Sequence, residues 1–166
     1  MSNIVIRDVV PADDEFILRI NEENVEVLSP MDQAKLDFYK GIADIFWTVE
    51  VDGERAAFLI GIREGAPYPN ENFAFFSRTF EKFLYVDRIV IDEPFRKMGL
   101  GKKLYEAVKE HALDSGVTTV TAEVDTEPVY NNASLIFHES MGFREVGEQR
   151  VRGNTIKVSL QAWELI

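Results

Sequence analysis

The chain of 166 residues has no cysteine and only two histidines, His111 and His138. The first absence removes disulfides, thiolate zinc sites and cysteine nucleophiles. The second makes a histidine-built metal centre unexpected, and no metal is implied. Basic residues are scarce too: 18 Lys and Arg stand against 29 Asp and Glu, a formal net charge of −11. So acidic a chain is a poor partner for nucleic acid, and none is expected. An acidic surface attracts cationic amines and basic peptides, and the same acidity also serves solubility alone. No apolar run is long enough to cross a bilayer, and the start, Ile4-Val5-Ile6, reads as a strand where a leader would be basic and then apolar. The expectation is a cytoplasmic protein with no membrane partner, of a length that suits one domain, 1–166.

What is present is concentrated in one stretch. Leu84 to Ile91 is β-branched and aromatic in the manner of a strand. Asp92-Glu93-Pro94-Phe95 ends it, because proline donates nothing to a ladder and favours a turn. Arg96-Lys97-Met98-Gly99-Leu100-Gly101-Lys102-Lys103 then runs into a helical pattern, with Leu100, Leu104, Val108 and His111 on one face and Ala107 beside them. Gly99 and Gly101 are expected at positive φ, where a ligand can approach the backbone closely. The first amides of a helix have no partner inside it and carry the positive end of the macrodipole. With Arg96, Lys97, Lys102 and Lys103 they form an anion site suited to phosphate or pyrophosphate.

Two phosphate motifs do not fit. A Walker-type loop needs a hydroxyl residue after its Gly-Lys pair, and Gly101-Lys102 is followed by Lys103. A dinucleotide fingerprint needs a third glycine that is missing here. The spacing Arg96-x-x-Gly99-x-Gly101 after an apolar strand instead resembles the pyrophosphate loop of the GNAT superfamily of acyl-CoA-dependent N-acyltransferases.

In chain order, Asn3–Val10 reads as a strand and Pro11 to Glu15 as a helix start, with Phe16, Ile17 and Ile20 on its buried face. Ser29-Pro30 reads as N-cap and first turn of a second helix, with Leu36 and Tyr39 inward. Ile45–Val51 and Ala56–Ile62 are strands joined by the hairpin signal Asp52-Gly53. Arg63–Thr79 reads as a loop with room for one short helix. The central helix stops at Gly116. Val117–Val124 is a strand and Asn131–Met141 a helix. Two late strands, Phe143–Val151 and Ile156–Leu165, are joined by 152–155 as a type II′ turn. The pattern implies an α/β protein (α+β by some schemes): a mixed central sheet of about seven strands flanked by about four helices. That order matches the GNAT topology.

A second motif points the same way. Asn131 to Phe143, ending His138-Glu139-Ser140-Met141-Gly142-Phe143, resembles the superfamily's late helix, which begins at Asn and ends in aromatic-Glu-x-x-Gly-Phe. The resemblance implies acetyl-CoA as co-substrate and an amine as acceptor. It implies a central strand splayed from its neighbour, with the pantetheine arm on Ile89, Val90 and Ile91. The pyrophosphate would lie on Arg96, Lys97, Met98, Gly99, Leu100, Gly101 and Lys102. Asn131 would either bond the pantetheine or cap its helix.

The implied chemistry is attack of an amine on a thioester. An alkylamine with a pKa of about 10.4 must first lose a proton. Glu123 is the first candidate for the base, since some peptide N-acetyltransferases of the superfamily have a matching Glu-Val pair, here Glu123-Val124. Asp87 is the second, with an ion pair to Arg88 as the plainer reading. His138 stands where many relatives have the tyrosine that protonates the leaving thiolate, and phosphinothricin-type acetyltransferases look similar in having His there. It is a candidate acid, base or lining residue of the thiol site. His111 reads as structural. The acceptor side would be built by 21–32 and 66–78. The leading expectation is acetyl transfer to a small primary amine. The alternatives are N-terminal acetylation of a peptide or protein and a non-catalytic acyl-CoA sensor. A homodimer would form through the late strands.

Overall fold

The computed structural model of the chain describes residues 2–166. In chain order the elements are β1 (Ile4–Asp8), α1 (Asp14–Glu22), α2 (Gln33–Ile42), β2 (Ile45–Val51), β3 (Glu54–Arg63), α3 (Glu71–Thr79) and β4 (Leu84–Ile91). They continue with α4 (Leu100–Asp114), β5 (Thr119–Glu127), α5 (Asn132–Met141), β6 (Arg144–Val151) and β7 (Ile156–Glu164). The seven strands form one sheet in the order β1-β2-β3-β4-β5-β7-β6. Neighbours β1–β2, β2–β3, β5–β7 and β6–β7 are antiparallel. β4 and β5 are parallel, in register at Leu84↔Val120 and Tyr85↔Thr121. This is the expected mixed sheet.

Five helices flank it where about four were expected. The fifth is α3, the short helix for which the 63–79 loop leaves room. Asn70 caps it, its Oδ1 accepting from the Phe73 amide at 2.9 Å, and Phe73 and Phe76 supply the buried stripe. The start of α2 also differs. Asp32, not Ser29, is the N-cap, its Oδ1 accepting from the Lys35 amide at 2.8 Å. The Ser29 hydroxyl and carbonyl are instead taken by Arg88. The 152–155 connection is not a type II′ turn, since Arg152, Gly153 and Asn154 all have positive φ. Asp52-Gly53, at φ 51° and 83°, is the tight hairpin the sequence predicts.

The chain divides into two compact units: residues up to Ile62 with Asp87–Glu106, and Arg63–Val86 with Ala107–Ile166. In the first, Ile17, Ile20, Leu36 and Tyr39 are fully buried, as are Ala56 to Ile60 of β3. That continuous apolar run shows β3 covered on both faces. In the second, Phe76, Phe83, Tyr85, Val108, Val120 and Leu160 are fully buried. On α4 the fully covered positions are Leu104, Tyr105 and Val108, with Ala112 almost so. Ala107 and His111, expected on that face, are half-buried. No helix among the described residues is long and apolar enough to cross a membrane.

Candidate active site

In the first unit β4 leaves the sheet through Asp92. Its Oδ1 accepts from the Glu93 amide at 3.0 Å, and its Oδ2 accepts from Arg19 at 3.0 Å. A 3₁₀ turn, Glu93–Phe95, follows with Pro94 inside it. Lys97 and Gly99 then take positive φ, 70° and 76°. Positive φ at both positions bends the chain sharply just ahead of the helix. The helical ladder of α4 begins with the Lys103 amide donating to the Gly99 carbonyl at 3.1 Å. The amides of Leu100, Gly101 and Lys102 are therefore the outward-pointing donors of a helix start. Gly101 is not at positive φ as expected: it is buried inside the first helical turn, and Lys97 takes the left-handed position in its place.

Arg96, Lys97, Lys102 and Lys103 are exposed around this loop. The Arg96 guanidinium donates to the Ile91 carbonyl and to Asn24 Oδ1, each at 3.2 Å. Amides and cations with no acid among them fit a pyrophosphate, which is what an acyl-CoA presents. On the strand before the loop, Val90 is buried and Ile89 and Ile91 are half-buried. Asp87 accepts from Arg88 Nε at 3.1 Å, and the two side chains are 5% and 2% exposed. The ion pair of the sequence reading is present.

In the second unit Glu123 is half-buried on β5, and the Tyr85 hydroxyl donates to its Oε2 at 2.6 Å. Tyr85 is fully buried, its ring 5.6 Å from Phe76, 6.0 Å from Phe73 and 6.5 Å from Tyr68. Helix α3 and its approach thus fix the tyrosine, and the tyrosine orients the carboxylate. Tyr85 is absent from the sequence reading.

Asp125, two residues beyond Glu123 and on the same face of the strand, is also absent from it. Burial pushes the Asp125 carboxyl up to about 6, against the opposing pull of the Arg152 guanidinium. A carboxyl raised on folding supports the fold best below its unfolded value, and that support declines as pH rises through about 6. Asp125→Asn, which mimics the neutral form, is expected to raise stability by about 1 kcal/mol at high pH after allowance for solvent screening, and not at all near pH 4. Urea denaturation at the two pH values reads this. An equal effect at both would mean that the carboxylate is not destabilised by its surroundings.

His138, on α5, is 3% exposed. Its Nδ1 lies 2.8 Å from the Ser134 carbonyl oxygen, which only accepts, so the ring proton sits on Nδ1. Burial pushes the imidazole below its ordinary value, against the opposing effect of that bond. The ring lies between Phe137 and Phe143, with centroids at 5.4 and 4.9 Å. Asn131 caps α5, its Oδ1 accepting from the Ser134 amide at 3.3 Å. Gly142 ends the helix at φ 111°, and a Cβ there would lie 2.9 Å from Trp163 Nε1. The Gly-Phe signature is thus a helix stop pressed against a tryptophan.

The sequence profile of the acetyltransferase (GNAT) family matches residues 15–143. Thialysine N-epsilon-acetyltransferase of Sus scrofa is 25% identical over 159 residues, covering 89% of this chain and 88% of its own. Among solved structures, Ard1 from Thermoplasma volcanium superposes with a TM-score of 0.79 at 19% identity, over 98% of both chains. The yncA protein of Salmonella typhimurium, solved with its cofactor acetyl-CoA, superposes with a TM-score of 0.69 at 18% identity, over 98% of this chain and 94% of that one. With the profile spanning the strand, the amide-lined loop and the late helix up to Phe143, the chain belongs to the acetyltransferase (GNAT) family and is an enzyme of that family.

Proposed function

We propose that the chain transfers an acetyl group from acetyl-CoA to the primary amine of a small molecule, by direct attack without a covalent enzyme intermediate. The observation that carries this reading is the Tyr85–Glu123 pair under the aromatic cover of Tyr68, Phe73 and Phe76. A carboxylate oriented by a tyrosine that is itself packed among Tyr68, Phe73 and Phe76 suits a compact amine better than an extended peptide. The Sus scrofa relative is named for a small amine.

Acetyl-CoA supplies an activated thioester carbonyl. The amides of Met98 to Lys102, with Arg96 and Lys97, would hold its pyrophosphate, and the backbone of Ile89 to Ile91 its arm. Glu123, directly or through a water, takes the proton of the ammonium, so that the nitrogen lone pair is free to attack. Tyr85 keeps Oε2 in place meanwhile. Asp125 adds a second carboxyl on the same face of β5. His138 lines the site without protonating the leaving group. A thiol with a pKa of about 8.5 leaves tolerably without strong assistance. The whole chain serves as one catalytic domain in the cytoplasm, with dimerisation through β6 and β7 as an accompanying proposal.

The test is thiol release from acetyl-CoA over a panel of small primary amines and basic peptides. Turnover of one class of small amine is expected. Turnover of peptides alone would replace the acceptor class. Tight acetyl-CoA binding with no turnover of anything would favour a sensor.

A further inference from the structure

Within the second unit, helix α3 is seated on the edge strand β6 and the turn that follows it. Glu71 Oε1 accepts from the Arg152 amide at 3.1 Å. Asn72 is buried, and its Oδ1 accepts from Gln149 Nε2 at 2.8 Å. One turn further along the helix, Phe75 stands over Gly147. A Cβ on Gly147 would lie 2.7 Å from Phe75 Cζ and 3.2 Å from Cε2, closer than packed carbons come. Gly147 is not at positive φ, so its backbone would accept a side chain. It is the approach of Phe75 that leaves no room for one.

The register brings this contact into line with Glu123. Gly147 pairs with Leu160 on β7, and Leu160 pairs with Glu123 on β5. The three residues share one row across the sheet and therefore one face of it. Between the two ends of that row the rings are continuous. Phe75 meets Phe76 edge-on at 5.5 Å, and Phe76 lies 5.6 Å from Tyr85. Tyr85 ends the series with its hydroxyl 2.6 Å from Glu123 Oε2. Close-packed rings pass a displacement on, because they have no free volume to absorb it. We infer that Gly147 and Phe75 are positioning residues: the missing side chain on β6 sets the height of α3 over the sheet and, through Phe76, the place where the Tyr85 hydroxyl meets Glu123. The inference rests on Glu123 as the base in the reading above. Every residue in it belongs to the second unit.

The test compares wild type with Gly147→Ala alone, with Phe75→Leu added and with Tyr85→Phe added. The new methyl presses on Phe75, Phe75→Leu makes room for it, and Tyr85→Phe removes the bond through which the effect must pass. Phe75→Trp presses on the same contact from the helix side and keeps the inference testable if Gly147→Ala does not fold. Gly147→Ala is expected to lower kcat about fivefold with the acceptor KM within about twofold of wild type. Phe75→Leu should restore kcat to within about twofold, and on the Tyr85→Phe background Gly147→Ala should cost less than about 1.5-fold. A readout without turnover is the proton resonance of the Tyr85 hydroxyl, which a short bond to a carboxylate moves far downfield and which Tyr85→Phe identifies by removing it. It is expected to shift or vanish in Gly147→Ala and to return with Phe75→Leu. A kcat loss of equal size with and without the Tyr85 hydroxyl would mean that Gly147 acts by another route, and would overturn the inference. So would a loss that Phe75→Leu does not relieve, or a resonance that Gly147→Ala leaves in place. If wild type turns over no amine, the reading of Glu123 as base fails, and the resonance alone then decides whether the contact positions the hydroxyl.

Discussion

Glu123→Gln is expected to lower kcat for amine acetylation by about 10²–10⁴-fold, with acetyl-CoA affinity intact. Glutamine keeps the size and still accepts from the Tyr85 hydroxyl through its carbonyl oxygen, so the packing around the pair survives. What is lost is the only form of the side chain that can take a proton from an ammonium. The substitution leaves every residue proposed for acetyl-CoA binding untouched, so acetyl-CoA affinity is the internal control. Tyr85→Phe is the graded companion. It removes one charge-assisted hydrogen bond and leaves the ring among Phe73, Phe76 and Tyr68, so a loss of about tenfold in kcat is expected. His138→Phe should cost less than about tenfold, since burial disfavours the charged ring that a general acid needs. Steady-state kinetics with the best amine of the panel decides. Should Glu123→Gln retain kcat within about threefold, Glu123 is a strand residue and nothing more, and Asp125 becomes the next carboxyl to remove.

The parts of this site that can be read from sequence are those whose geometry is local. Arg96 to Lys103 makes its amide-lined turn within eight residues, and Asn131 and Gly142 cap the two ends of one helix. Turn and cap chemistry acts over such distances. Tyr85 escapes because its partner is 38 residues away and the contact depends on the β4–β5 register. Arg88 escapes for the same reason, with Asn21 and Ser29 lying 67 and 59 residues from it. In sequence it reads as the neighbour of Asp87. Ser29-Pro30 carries a local signal for a helix start that the fold does not use: the Ser29 hydroxyl accepts from Arg88, and Asp32 caps the helix. The alternation of β5 alone puts Asp125 on the face of Glu123, without any tertiary knowledge.

Asp13→Asn is expected to destabilise the first unit by about 3 kcal/mol at pH 7, the low end for a broken buried pair because both guanidiniums involved keep contact with solvent. The Asp13 carboxylate is 0% exposed and accepts five hydrogen bonds. They come from Arg7 Nη1 and Nη2 at 2.8 and 2.9 Å, Arg55 Nε at 2.7 Å, the Val10 amide at 2.9 Å and the Thr48 hydroxyl at 2.9 Å. It thereby joins the turn before α1 to β1, β2 and β3. Asparagine takes from Arg55 and Arg7 the negative charge they share, leaving Arg7 with Glu50 alone. It also brings an NH₂ where only acceptors fit. Burial alone would push the Asp13 carboxyl up, yet the bonds from Arg7, Arg55, Val10 and Thr48 hold it well below the usual carboxylate range. A carboxyl depressed on folding gives stability that is present above its unfolded value of about 3.9 and is lost as pH falls toward the folded one. The gap between wild type and Asp13→Asn should therefore narrow by about 1 kcal/mol from pH 7 to pH 3, since only the unfolded chain takes up the proton in that range. Urea denaturation at the two pH values measures it. A gap of the same size at both would mean that the carboxylate titrates alike in the folded and unfolded chain, and that the five hydrogen bonds do not favour its charge.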